Sequence, residues 1–122
     1  MSSFTKLEEA ALHAIFAETP ELTPVLEQQF GVAATTNREN TGGGFFTTIT
    51  VPENAPRVSS SRVLGFETYA RVEGLTHGLG FVLFMEHGRL HLLEGYAVGP
   101  ESTAALNLEN LTFSIRKTPF DA

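Results

Sequence analysis

The sequence predicts an α+β domain in which two N-terminal helices pack on one face of a five- to six-stranded, mainly antiparallel sheet. Three observations carry this expectation. Apolar residues recur at helical spacing as far as about residue 30, and at a spacing of two from there on. Helices come first and strands afterwards, unlike the alternating order of a parallel sheet. The 122 residues suit one domain, taken as 1–122, with no internal repeat and no linker.

The first helix opens at Thr5. In "TKLE" the Thr5 hydroxyl and the Glu8 carboxylate stand at capping-box spacing. Leu7, Ala11, Leu12, Ile15 and Phe16 then form one apolar stripe. "TPELTP" interrupts it and offers Thr–Pro twice, a pairing suited to a helix start. Leu22, Val25, Leu26 and Phe30 form the second stripe, and Gly31 is the expected C-cap. Strands are expected near 32–38, 44–51, 66–73, 79–86, 89–98 and 109–116. "PENAPRVSSSR" is a Pro- and Ser-rich loop, and "GPESTAALN" is another.

The clearest element is "GLGFVLFMEHGRLHLLEGYAVG", with His87-Gly88 as a two-residue hairpin turn. A regular ladder from that turn pairs Glu86 with Arg89, Met85 with Leu90, Phe84 with His91 and Leu83 with Leu92. One face then carries Leu79, Phe81, Leu83, Met85, Leu90, Leu92, Glu94 and Tyr96, and is assigned to the helices. The other carries Gly80, Val82, Phe84, Glu86, Arg89, His91, Leu93 and Gly95 and is half apolar, less polar than a wet face would be. Val82, Phe84 and Leu93 are therefore expected at an interface, with a homodimer or a stable hetero-partner covering them.

Composition narrows the function. Hydrophobic residues at 42% and charged residues at 18% place the chain among ordinary globular proteins. With no cysteine, disulfides, thiolate metal sites and a cysteine nucleophile are excluded. The formal charge is −6. Residues 1–31 contribute −4 of it, from Glu8, Glu9, Glu18, Glu21 and Glu27 against Lys6. Nucleic acid is not expected as a partner, since phosphate binding needs clustered Lys and Arg. The N-terminal residues lack the pattern of a signal peptide, and no stretch has the ~20 apolar residues of a membrane span, so a cytoplasmic location is expected.

No motif in the chain amounts to a catalytic set. Gly42, Gly43 and Gly44 lead into the strand-like "FFTTITV" with no following lysine, so a turn is read there in preference to a phosphate loop. Ser59–Ser61 are loop composition. His13, His77, His87 and His91 show no zinc spacing, and neither metal nor cofactor is expected. Glu94 is the lead residue, because a carboxylate on an apolar strand face needs a partner. Arg38, Arg71, Tyr69 and the amides of residues 40–44 are the candidates, with Arg38 or the amides expected to bond a largely buried Glu94. A carboxylate in such a place would either pin the glycine turn or serve as an acid or base.

The blocks "RENTGGGFFTT" and "GLTHGLGFVLFMEHGRLHLLEGYAVG" resemble a group of small uncharacterised bacterial proteins. Their pattern is roughly Arg-Glu-aromatic-Thr-Gly-x-Gly-Phe-aromatic-Thr, then Gly-x-Gly-Phe-x-Leu-Phe, then Leu-Glu-Gly-aromatic. Arg38, Glu39, Thr41, Gly42, Gly44, Phe45, Phe46 and Thr47 fit the first block. Gly78, Gly80, Phe81, Leu83, Phe84, Gly88, Leu93, Glu94, Gly95 and Tyr96 fit the others. Asn40 departs from the aromatic position, and "AVGPES" lacks the Trp-Pro of some members. The resemblance covers roughly residues 38–99. It implies a compact α+β domain with Arg38, Glu39 and Glu94 as shared polar residues, and a likeness to immunity-type proteins that neutralise toxins.

These readings converge on a non-enzymatic cytoplasmic module that binds another protein. The alternative is a small-ligand-binding or hydrolytic domain with a pocket around Glu94 in a curved sheet. The residues expected to bind are Arg38, Glu39, Asn40, His91, Glu94 and Tyr96.

Overall fold

The structure, a computed structural model, describes residues 4–59 and 63–119; Ser60 and Ser61 of the serine run lie outside them. Helix α1 spans Lys6–Ala17 and opens on the expected capping box, with both reciprocal bonds formed. It buries Leu7, Ala11, Leu12, Ile15 and Phe16. Helix α2 spans Thr23–Val32, with Pro24 in its first turn, where a missing N–H costs nothing. The Thr23 hydroxyl donates to the Phe16 carbonyl at 2.6 Å, tying the start of α2 to the end of α1. Between the helices, Phe30 packs against Phe4, His13 and Phe16, with ring centroids 5.1, 4.8 and 6.4 Å away. Gly31 is not a C-cap. It lies inside α2, and Ala33 leaves the helix directly in extended conformation, so no left-handed residue is needed.

Six strands follow: β1 Ala34–Asn40, β2 Gly44–Thr50, β3 Tyr69–Val72, β4 Leu79–Glu86, β5 Arg89–Ala97 and β6 Phe113–Arg116. They form one sheet in the order β1-β2-β5-β4-β3-β6, and every pairing is antiparallel. β1 starts two residues later than its alternation implied, because α2 runs on to Val32. β3 and β6 are shorter than expected, the residues before them belonging to loops. The helices and the apolar residues of the long loops, Val58, Leu106, Leu108 and Leu111 among them, join a single core on one face of this sheet.

The glycine run is a turn between strands. The Thr41 amide donates to the Gly44 carbonyl at 2.9 Å, and Gly42 has φ +87°. The His87-Gly88 turn also stands as read. Both residues have positive φ, 54° and 75°, as a tight hairpin whose twist matches its strands requires.

Beyond that turn the ladder departs from the regular register. Glu86–Arg89 and Met85–Leu90 pair as expected, but Phe84 then meets Leu92, and Leu83 meets Leu93 rather than Leu92. His91 is the extra residue of a β-bulge. A one-residue slip exchanges the two faces of everything after it. Leu93 consequently turns into the core and is fully buried, while Leu92, Glu94 and Tyr96 turn outward. The assignment of Leu93 to an interface is thus overturned, as is that of Glu94 to the helical face.

Gln29 explains how the core tolerates the bulge. This fully buried side chain accepts from the Leu90 amide at 2.9 Å, just where the ladder is interrupted. Its amide nitrogen donates to the carbonyls of Gly88 and Pro56, at 2.8 and 2.9 Å. One glutamine therefore clips α2, the hairpin turn and the loop after β2 together. Gln29→Leu keeps the volume but leaves the buried Leu90 N–H without this acceptor, while the Gly88 carbonyl keeps the Val58 amide. The expected cost is about 2–4 kcal/mol, read as a lower urea midpoint. A change below about 0.5 kcal/mol would show that water replaces the amide.

Candidate functional site

Arg38 and Glu94 do not meet. Arg38 lies opposite Thr47 on the core side of the sheet, and Glu94 lies opposite Phe46 on the other. The partner of Arg38 is Glu8 of the capping box, 1% exposed. The Arg38 Nε donates to Glu8 Oε2 at 2.6 Å, and a terminal guanidinium nitrogen donates to Oε1 at 2.7 Å. Glu8 Oε1 also accepts the Thr5 amide, at 2.9 Å, and Oε2 the Thr47 hydroxyl. Two planar groups matched as forks, with both oxygens doubly bonded, satisfy a buried carboxylate fully. The hydrogen bonds to Glu8 are the main cause holding the Arg38 guanidinium above its already high ordinary range. This set is structural: it fastens the start of α1 to β1 and β2. Glu8→Ala would take away the carboxylate that the guanidinium grips with two hydrogen bonds, with an expected loss of about 3 kcal/mol or more in chemical denaturation. A loss under about 1 kcal/mol would show that solvent takes over.

Asn40 is likewise a fastener. Its Oδ1 accepts from the Gly42 amide and the Thr103 hydroxyl, and its Nδ2 donates to the Thr103 carbonyl. It thereby holds the β1–β2 turn against the loop after β5. Glu39 is exposed on β1, and His91 is half-buried at the bulge, with Nε2 3.1 Å from Glu86.

The remaining candidates share the outer face of the sheet, and cross-strand pairing orders them in rows. One row holds Glu39, Phe46, Glu94 and Val82; the next holds Asn37, Thr48, Leu92 and Phe84. A third holds Gly44, Tyr96, Gly80, Tyr69 and Arg116. Phe46, Val82, Phe84 and Leu92 are half-buried, and none of them belongs to the core cluster.

Two glycines shape this face and its reverse. At Gly80 an added Cβ would stand 2.3 Å from the Tyr96 ring, which lies flat over the strand. At Gly95 an added Cβ would meet Phe45 at the same distance, on the core side. Adjacent residues of β5 thus serve opposite faces, one as ring and one as floor. Tyr69 stands two strands away in the same row, close enough to act on the Tyr96 hydroxyl. Burial first, then Tyr69 and the charge of Glu94, raise the Tyr96 hydroxyl above its ordinary value. Glu94 is thus half-buried near Tyr96, neither deep nor bonded to Arg38. A cleft of about 620 Å³ opens between residues 71–78 and 112–114, and neither Glu94 nor Tyr96 lines it.

Sequence reasoning missed Glu8 as a partner of Arg38, Leu92 as an outer residue and Tyr69 as a partner of Tyr96. The signal for Leu92 was Glu94 itself, whose awkward place in a regular ladder marks the bulge. Comparison with protein-family models, curated proteins and solved structures found no match.

The raised Tyr96 hydroxyl contributes stability that is complete below the tyrosine's unfolded value and is lost as pH rises through the folded one. Gly80→Ala forces the ring off its floor. Ultraviolet titration should then show one tyrosine ionising at lower pH than in the wild type, with less stability lost between the unfolded and folded values. An unchanged titration would place the cause away from the Tyr96–Gly80 contact.

Proposed function

We propose that the chain is a non-enzymatic protein-interaction module that offers the outer face of its sheet to a protein partner, in the manner of an immunity-type protein. The observation that carries this reading is the strip of Phe46, Val82, Phe84 and Leu92. Phe84 pairs with Leu92 and stands two residues from Val82, Phe46 lies beyond Glu94 in the Val82 row, and all four, half-buried, lie opposite the face on which the helices and the apolar loop residues pack. Apolar side chains gathered on one face, flanked by tyrosines and charges, have the anatomy of a binding surface with a polar rim. The ligand-pocket alternative drew Arg38, Glu94 and Tyr96 into one cavity. Arg38 stands on the opposite face and is engaged by Glu8, so that trio does not assemble.

A photo-reactive phenylalanine at position 84 tests the reading in the native host. It should give a discrete cross-linked protein species that Val82→Glu abolishes, while the same probe at exposed Val32 on α2 gives none. Equal labelling at both positions, or none at 84, would overturn the outer face as the binding surface.

A further inference from the structure

We propose that the His87-Gly88 turn carries a site for a tetrahedral oxyanion of the phosphate class, either the free ion or a phosphorylated group. The proposal is independent of the binding role of the apolar strip. It starts from Arg89, which makes no hydrogen bond and no ion pair with any described residue, although its Nε is buried. A guanidinium partly shut off from water and left without a counter-charge is costly, and an unsatisfied buried group of this kind points to a ligand. The covered Nε holds the group in place. Its terminal nitrogens are neither buried nor bonded, so they are the part a ligand can reach.

Arg89 lines a cavity of about 190 Å³ at the tip of the β4–β5 hairpin, together with Thr50, Glu86, His87 and His91. Each imidazole faces Glu86 through Nε2, at 3.7 Å from His87 and 3.1 Å from His91, and keeps its Nδ1 unbonded. The Thr50 hydroxyl is unbonded as well. A guanidinium fork, two imidazoles and a hydroxyl spread around one small cavity suit the tetrahedral spread of phosphate oxygens better than a planar carboxylate. At about 30 Å³ for each water in the liquid, the cavity has room for a phosphate group with waters beside it.

The turn that carries these groups is already fixed. The Gly88 carbonyl accepts from the Val58 amide at 3.0 Å and from the Gln29 side chain at 2.8 Å, so little order remains to be imposed when an anion enters. Arg57 stands beside the turn, its Cβ 3.1 Å from where a Cβ on Gly88 would lie. Two of the eight Lys and Arg residues of a chain with net charge −6 therefore gather at this turn. Glu86 is the only acid among the described residues lining the cavity. Its side chain is 54% exposed, so it can turn into solvent as an anion takes its place against the histidines. Glu86 is thus a resident competitor for the site.

Phosphate titration followed by amide chemical shifts, at constant ionic strength, tests the site. Wild-type protein should show saturable shifts confined to residues 49–51 and 86–91. Arg89→Gln, checked for folding by circular dichroism, should bind phosphate at least about tenfold more weakly, as loss of charge-assisted bonds requires. Glu86→Gln should bind it at least about threefold more tightly, because a like charge is removed. Phenyl phosphate that binds at least as well as phosphate identifies a phosphorylated group as the ligand, and exclusion of phenyl phosphate identifies the free ion. Absence of saturable shifts up to about 50 mM phosphate would overturn the site and leave water as the occupant of the cavity. Shifts centred elsewhere, unchanged binding by folded Arg89→Gln, or weaker binding by Glu86→Gln would overturn it too. If Arg89→Gln does not fold, His91→Gln takes its place, with weakening of at least about threefold expected and unchanged binding counting against the site.

Discussion

The bulge at His91, held by Gln29, is the constraint on which the rest of the sheet depends. β5 is the strand that joins the β1–β2 hairpin to β4, so the side to which each of its residues points sets the pairing on both flanks. A regular strand would have carried Leu90, Leu92, Glu94 and Tyr96 into the core, a carboxylate and a phenol among leucines. With one residue interpolated, Leu90 and Leu93 enter the core together and Glu94 and Tyr96 leave it. The interpolation costs a ladder position, and a glutamine on α2 accepts from the Leu90 amide there. The helical layer thereby takes part in deciding which way the sheet faces.

How much of this was legible follows from the range of each interaction. The capping box at Thr5, both helical stripes, the glycine turn and the His87-Gly88 turn are local, and each was readable from a few neighbouring residues. The α+β order and the antiparallel sheet followed from them. The bulge was not readable, because it is decided by Gln29, 61 residues from its partner Leu90. The candidate site inherited that error: Phe84 and Val82 were placed correctly, Leu93 and Glu94 were turned over, and Leu92 was lost. Arg38 was given the wrong partner, since Glu8 had been assigned to helix capping alone. A carboxylate has room for four donors, and here the capping box uses only one of its oxygens.

The two faces of the sheet solve different problems with the same side-chain types. On the inner face an ion pair is enclosed and every oxygen bonded, so charge serves to fix orientation. On the outer face charges such as Glu94 stand among the apolar residues, where water weakens each pair. Phenylalanine and tyrosine rings laid over Gly95 and Gly80 keep β2, β5 and β4 close on both sides.

The reach of the two polar fasteners bears on how the chain comes together in time. Glu8 waits for Arg38 and Thr47, 30 and 39 residues on, and Gln29 waits for Gly88 and Leu90, 59 and 61 residues on. As a nascent chain emerges, both helices appear before either fastener has its full set of partners. Their buried polar groups oppose docking onto any incomplete sheet, since each unpaired one carries a desolvation penalty. The helical layer therefore gains its seat only when β5 is in place, which couples the first thirty residues to the last third of the chain in a single cooperative step.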